Sequence, residues 1–196
     1  VLAAKSIALN EAGKTEALRN LVDFDRLVRP MKQEAPSSFP DMDSFNKALA
    51  RHVIRHPTLV TSPSSHTTRL GKQTGAINAG SKGPIAAFEH LVSRAIDEYM
   101  ESVADGVRHP IIEQRPKQIS LAVWATVLEG EGYQAPHIHP SGWLSGVYYV
   151  QVPEVANEDG NDGWIEFGQP GPEYHFSAKP ALQLFRPEPG LMVMFP

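Results

Sequence analysis

The sequence predicts an α+β fold: an antiparallel β-sandwich or jelly-roll core with N-terminal helices packed outside it. Three observations lead there. Apolar residues recur at helical spacing in several segments before residue 104. After Pro110 the pattern changes to short alternating runs separated by turn residues. The chain has 196 residues, 41% hydrophobic and 20% charged, enough for a globular core.

Taken in order, residues 1–30 read as a hairpin of two short helices. The first carries Leu2, Ile7 and Leu9, and Gly13 suits the left-handed stop that ends a helix. Thr15 is the expected cap of the second, in which Leu18, Leu21, Val22 and Val28 recur, and Pro30 marks its end. Such a hairpin resembles the last unit of a tetratricopeptide array, which would imply repeats upstream and a protein partner reached through these helices. An ordinary amphipathic hairpin packed on the domain fits equally. Residues 31–196 form the second expected unit. A Pro/Ser-rich connector at 31–40 leads to a helix capped by Asp41 or Asp43, with Phe45, Leu49 and Val53 on one stripe and Pro57 as its stop. Residues 57–83 show no periodicity and read as a long loop. Pro84 opens a long helix with Phe88, Leu91, Val92, Ala95, Tyr99 and Val103 on one face.

Residues 119–128 alternate as a strand, and 129–132 (Glu-Gly-Glu-Gly) read as a turn. Further strands are expected at 133–139, 143–152, 163–167, 181–185 and 191–195.

Composition narrows the function classes. Lys plus Arg is 18 against 22 for Asp plus Glu, a net charge of −4, which argues against nucleic-acid binding through phosphates. There is no cysteine, so disulfide scaffolds, thiolate zinc sites and cysteine nucleophiles are excluded. That absence fits a reducing compartment, and the expected location is cytoplasmic. No run approaches the 18 apolar residues of a membrane span. Val1 in place of an initiating methionine, and the apolar run that stops at Pro196, lead us to expect a chain cut at both ends.

The stretch richest in chemistry is Ala135-Pro-His137-Ile-His139-Pro-Ser-Gly-Trp-Leu-Ser145-Gly-Val-Tyr148-Tyr149-Val. On a strand, residues i and i+2 share a face, so His137 and His139 would present two imidazoles side by side, the first half of a metal site. Imidazole suits Fe, Zn, Cu or Ni, so the ligands do not choose the metal. Two surface histidines on an edge strand would give the same pattern. Ser141 and Ser145 near the histidines lack the Gly-x-Ser-x-Gly elbow of a serine nucleophile. Glu154, Glu158, Asp159 and Asp162 lack the calcium-loop register and read as a solvated hairpin tip.

The order of these words resembles a family. A strand, His-x-His, a turn, a strand ending in Tyr-Tyr, a Gly-x-x-x-Phe strand and Pro-x-x-Gly-x-x-x-x-Phe-Pro are similar to the double-stranded β-helix core of iron(II)/2-oxoglutarate-dependent oxygenases. More narrowly, Trp124, residues 137–140, 144–149 and 185–196 resemble the oxygenases often found behind tetratricopeptide repeats. The resemblance covers residues 31–196 and is most specific over 120–196. It implies a hydroxylase-type oxidation of a C–H bond in an unknown substrate, with Fe(II) and 2-oxoglutarate as cofactors. His137 takes the place of the first iron ligand. His139 stands where most of the superfamily has the Asp of His-x-Asp, which would make the triad all-histidine. Tyr149 resembles the aromatic that hydrogen-bonds the 2-oxoglutarate carboxylate, Trp124 is expected with it at the cofactor site, and Trp124 and Trp143 would wall the cavity. Gly163, Trp164 and Phe167 match a strand lining it, and Ser145 lies at its edge. Pro189, Gly190, Phe195 and Pro196 match the segment before a second histidine and a basic residue, both expected beyond Pro196. His175 is an alternative ligand, although it reads as a surface histidine. Thr67, Thr68, Arg69, Lys72 and Gln73 belong to a candidate lid, or to a disordered connector.

Two other readings stay open. A cupin-like metalloenzyme also uses His-x-His, but follows it closely with a Glu, and residues 140–147 contain no acid. A non-catalytic jelly-roll interaction module with a degenerate metal site is compatible with His139 in the acid's place.

Overall fold

The computed structural model describes residues 2–62, 66–80, 82–103, 109–157 and 160–196. Helices α1 (Leu2–Glu11), α2 (Thr15–Leu21) and α3 (Phe24–Leu27) open the chain. Gly13 ends α1 as expected: its φ is +63°, and the Lys14 N–H reaches back to Leu9 O at 2.9 Å. Thr15 is not the cap of α2. Lys14 holds that position without a side-chain bond, and Thr15 is the first helical residue. Neither α1 nor α2 buries a residue, which lends the tetratricopeptide likeness no support and equally fits a lone helical hairpin. Pro30, expected to end the hairpin, instead lies in strand β1 (Arg29–Lys32).

The main helices follow the sequence closely. Asp41 caps α4 (Met42–Ile54), accepting from the Ser44 N–H at 2.7 Å, and Phe45, Leu49 and Val53 are buried. Helix α5 (Pro84–Val103) buries Leu91, Val92, Ala95, Tyr99 and Val103. Between them, the segment expected to be a loop contains β2 (Val60–Thr61) and β3 (Thr68–Gln73). Residues 63–65 and 81 of that segment, and Glu158 and Asp159 of the acidic turn, lie outside the described residues. Strand β3 has one apolar side chain, Leu70, and it is 71% exposed, so alternation could not reveal the strand. Pairing with β4 (Thr126–Gln134) holds it in place.

Strand β4 also revises the reading of 119–139. After the short α6 (Pro110–Glu113), residues 121–125 run beside 74–78 without a regular ladder. The Ile77 N–H donates to Val123 O at 2.9 Å, the Thr74 N–H to Ala125 O at 2.9 Å, and Asn78 Nδ2 to Leu121 O at 2.8 Å. The expected turn at 129–132 does not end a strand. It forms a bulge inside β4, where those residues face Leu70 alone between the pairs Arg69–Tyr133 and Gly71–Leu128. A Cβ at Gly132 would stand 2.7 Å from Leu70 O, so the close crossing needs glycine there.

The remaining strands are β5 (Ser145–Tyr148), β6 (Ile165–Phe167), β7 (Gln183–Phe185) and β8 (Leu191–Phe195). Three antiparallel sheets result, with orders β1-β8-β5, β2-β3-β4 and β6-β7. The α+β class therefore stands, while these separate sheets do not establish a closed jelly roll.

The β1-β8-β5 sheet has two faces with different occupants. Opposed residues share a face, which places Met31, Met192, Met194 and Tyr148 together. They join Phe45, Leu49, Ile85, Leu91, Ala95 and Tyr99 in the core beneath α4 and α5. Tyr148 Oη donates to Asn46 Oδ1 at 2.7 Å, and Tyr99 Oη to Leu27 O at 2.9 Å. The other face carries Ser145, Val147, Val193 and Phe195. Among the described residues, no helix is long and apolar enough to cross a membrane.

Candidate metal centre

His137 and His139 lie beyond the end of β4, not on the strand expected at 133–139. Local bonds bring them together instead of pleat alternation. Pro140 and Ser141 occupy the centre of a turn closed by the Gly142 N–H on His139 O at 3.0 Å. The turn folds the chain back so that Ser145, at the start of β5, reaches His139 Nδ1 with its Oγ at 2.9 Å. His137 Nδ1 lies 2.8 Å from Ala135 O. The two Nε2 atoms stand 3.1 Å apart, with ring centroids separated by 5.0 Å.

Tautomers follow from these partners. A carbonyl only accepts, so His137 Nδ1 carries a proton, and in the neutral ring Nε2 presents the lone pair. The Ser145 hydroxyl both donates and accepts. When it donates to His139 Nδ1, the His139 Nε2–H donates to His137 Nε2. When it accepts, His139 Nε2 is bare and both lone pairs converge on one point. Burial, with the neighbouring His137 ring as a smaller cause, holds His139 below the usual imidazole pKa. That favours the neutral ring a metal requires.

This donor set fits two corners of a metal polyhedron. Two imidazole nitrogens each about 2.1 Å from an ion, at right angles, lie about 3.0 Å apart. Both rings also have the outer-shell bond that orients a ligating histidine. Among the described residues, no group of three His, Cys, Asp or Glu side chains is placed to hold an ion, so the pair stands without a third such ligand.

The other expected residues divide into three groups. Trp124 meets His139 edge-on, with centroids 5.6 Å apart, and is 45% exposed. Tyr149 extends β5, donating its N–H to Leu191 O at 3.0 Å, and alternation places it on the Ser145 face. Burial alone pushes its phenol up to about 12. Phe167 packs on Phe195 at 4.8 Å and on Phe185 at 5.9 Å, so the β6-β7 ribbon lies against that same face. Trp164 is turned elsewhere, its indole donating to Ala156 O at 3.3 Å. Arg69 is not in a lid loop: it is a strand residue opposite Tyr133, and its guanidinium donates to His66 O and Thr68 O of its own segment. His175 is exposed. Ala135, whose carbonyl fixes the His137 tautomer, left no signal in the sequence because the contact is made by the main chain.

No match was found among curated proteins or among solved structures. The segment that holds the imidazole pair, Trp124, Ser145, Tyr149 and Phe167 lies within residues 122–196, which match the family described as putative 2OG-Fe(II) oxygenase.

Proposed function

We propose that this chain carries the metal-binding core of an iron(II)/2-oxoglutarate-dependent oxygenase of the hydroxylase type, on a double-stranded β-helix scaffold. The observation that carries the reading is the 3.1 Å approach of two outer-shell-oriented Nε2 atoms within the matched segment. His137 and His139 would hold iron through Nε2, with a third ligand expected from chain beyond Pro196. Bound iron and 2-oxoglutarate supply the activation of dioxygen and the oxidation of a C–H bond.

The protein's own part is placement. Ala135 O and Ser145 Oγ set ring orientation, and Ser145 Oγ would accept a hydrogen bond from the His139 Nδ1–H with the Nε2 lone pair directed to an ion. The Tyr149 phenol, protonated like any tyrosine near neutral pH and pushed further up by burial, would be a donor for a cosubstrate carboxylate. Phe167 and Phe195 supply apolar surface on the Ser145 face, and Trp124 packs edge-on against His139.

The test is an anaerobic titration with Fe(II) and 2-oxoglutarate, following the visible charge-transfer band, on this chain and on one extended past Pro196. A band in the extended chain that His137→Ala removes supports the reading. No band in either, with no affinity for other divalent metals, sinks it. That outcome leaves the second reading, an interaction module with a degenerate metal site.

A further inference from the structure

The α1–α2 hairpin is bolted at its root and caught at its tip. At the root Leu27 is buried, Tyr99 Oη donates to Leu27 O at 2.9 Å, and His109 Nε2 stands 3.1 Å from Leu21 O. Between root and tip neither helix buries a residue. At the tip, Glu11 closes α1 and meets the connection between β6 and β7. Its Oε1 accepts from the Ser177 N–H at 2.7 Å and the Ala178 N–H at 2.6 Å, and its Oε2 from the Ser177 hydroxyl at 2.7 Å. Asn10 Nδ2 adds a bond to Lys179 O at 3.1 Å.

Two successive main-chain N–H groups on one carboxylate form an anion nest. A carboxylate at a helix C-terminus opposes the helix dipole, so Glu11 does not serve α1 itself. Its role lies in the nest, whose donors hold its carboxyl below the usual range, the Ala178 N–H foremost. The start of the connection also passes close to Phe24 at the hairpin root: a Cβ at Gly168 would lie 3.0 Å from its ring.

We propose that the α1–α2 hairpin is a releasable strap: Glu11, seated in the Ser177–Ala178 nest, latches it to the β6–β7 connection, and withdrawing that carboxylate frees hairpin and connection together. The helical core stays folded when this happens, because the strap adds no side chain to it. The connection joins two strands whose Phe167 and Phe185 rings pack together, with Phe167 also on Phe195 of the Ser145 face, so the strap braces one wall of that face. The inference rests on this geometry and not on the oxygenase reading.

Hydrogen exchange read by mass spectrometry on the whole protein tests it. In Glu11→Ala, exchange should rise about tenfold or more in peptides from 2–21 and from 171–182, with 42–54 and 84–103 unchanged. Glu11→Gln, which keeps an acceptor but loses the charge, should rise less, and Ser177→Ala, which removes one of three donors, less than Glu11→Ala. Unchanged exchange at 171–182 in Glu11→Ala overturns the latch. A matching rise across 42–54 and 84–103 also overturns it, because Glu11 would then be a staple of the whole fold.

Discussion

Ser145→Ala tests the imidazole pair at the atom that sets its geometry. The hydroxyl sits 2.9 Å from His139 Nδ1, and the half-buried ring has no other hydrogen-bonding partner at that nitrogen among the described residues. Alanine fits the same position on β5 opposite Phe195, and the site is not in the core beneath α4 and α5, so stability should change by less than about 1 kcal/mol. The ring, however, loses the oxygen that would accept a hydrogen bond from its Nδ1–H with Nε2 directed to an ion. Removing such an outer-shell partner typically weakens metal binding about 10–100-fold, which is about 1.4–2.8 kcal/mol. That exceeds the ~1 kcal/mol net value of one neutral hydrogen bond, because the orientation of a ligand is lost with it. Calorimetric titration with Co(II), an air-stable substitute for iron, measures the difference. His139→Ala sets the scale for losing the ligand itself, and Ser145→Thr, which keeps the hydroxyl, should retain most of the affinity. If Ser145→Ala binds Co(II) as tightly as the parent while His139→Ala does not bind, the hydroxyl does not orient the ring and the tautomer argument fails.

Three further expectations concern the scaffold. Tyr148→Phe leaves Asn46, only 5% exposed, without the donor to its Oδ1, and should cost about 1–3 kcal/mol in urea unfolding. Gly146→Ala would put a Cβ 2.7 Å from Met194 Sδ, in the buried layer under α4, and should lower the urea midpoint by the equivalent of about 1–3 kcal/mol; an unchanged midpoint would mean that Met194 moves aside freely. The Asp41 cap is pH-dependent. Its carboxyl is held below the usual value, mainly by the Ser44 N–H, so the cap is intact above the ordinary aspartate pKa and is lost as pH falls through the lowered one. Amide exchange in the first turn of α4 should rise on that acid limb in the parent and show no such limb in Asp41→Asn.

Helices α4 and α5 were legible because two local signals coincide in each: a start residue, Asp41 or Pro84, and a stripe at helical spacing that the structure buries. Strand β8 was legible as an apolar run after a Pro-Gly turn. Strand β3 was not, since Thr-Arg-Leu-Gly-Lys-Gln owes its extended form to long-range pairing with β4, and pairing leaves no mark on one strand's own sequence. The Glu-Gly-Glu-Gly segment carries turn chemistry, but it spends it on a bulge that only the partner strand defines. The imidazole pair was found for a partly wrong reason. His-x-His does place two rings together, yet the chain there is not a strand, and the approach depends on the Ala135 carbonyl and on Ser145 returning after the turn.

The β1-β8-β5 sheet separates what holds the molecule together from what faces the candidate chemistry. Alternation along β8 sends Met192 and Met194 to the helical core, and Leu191, Val193 and Phe195 to the side where Ser145 stands. A slip of one residue would exchange the two sets and carry Ser145 to the wrong face. The slip is blocked from both edges. On one side β1 pairs Met31 with Met192, matching two core residues. On the other, the Gly190 N–H donates to Tyr149 O at 2.9 Å and the Tyr149 N–H to Leu191 O at 3.0 Å, so the turn that starts β8 is tied to the residue that extends β5. Gly190 takes a φ of +83° to make that turn, and a Cβ there would press within 3.1 Å of Met42 at the start of α4. One glycine therefore couples the helix layer, the register of the central strand and the position of the serine that orients His139. The precision of the imidazole pair is inherited from a core whose side chains point the other way.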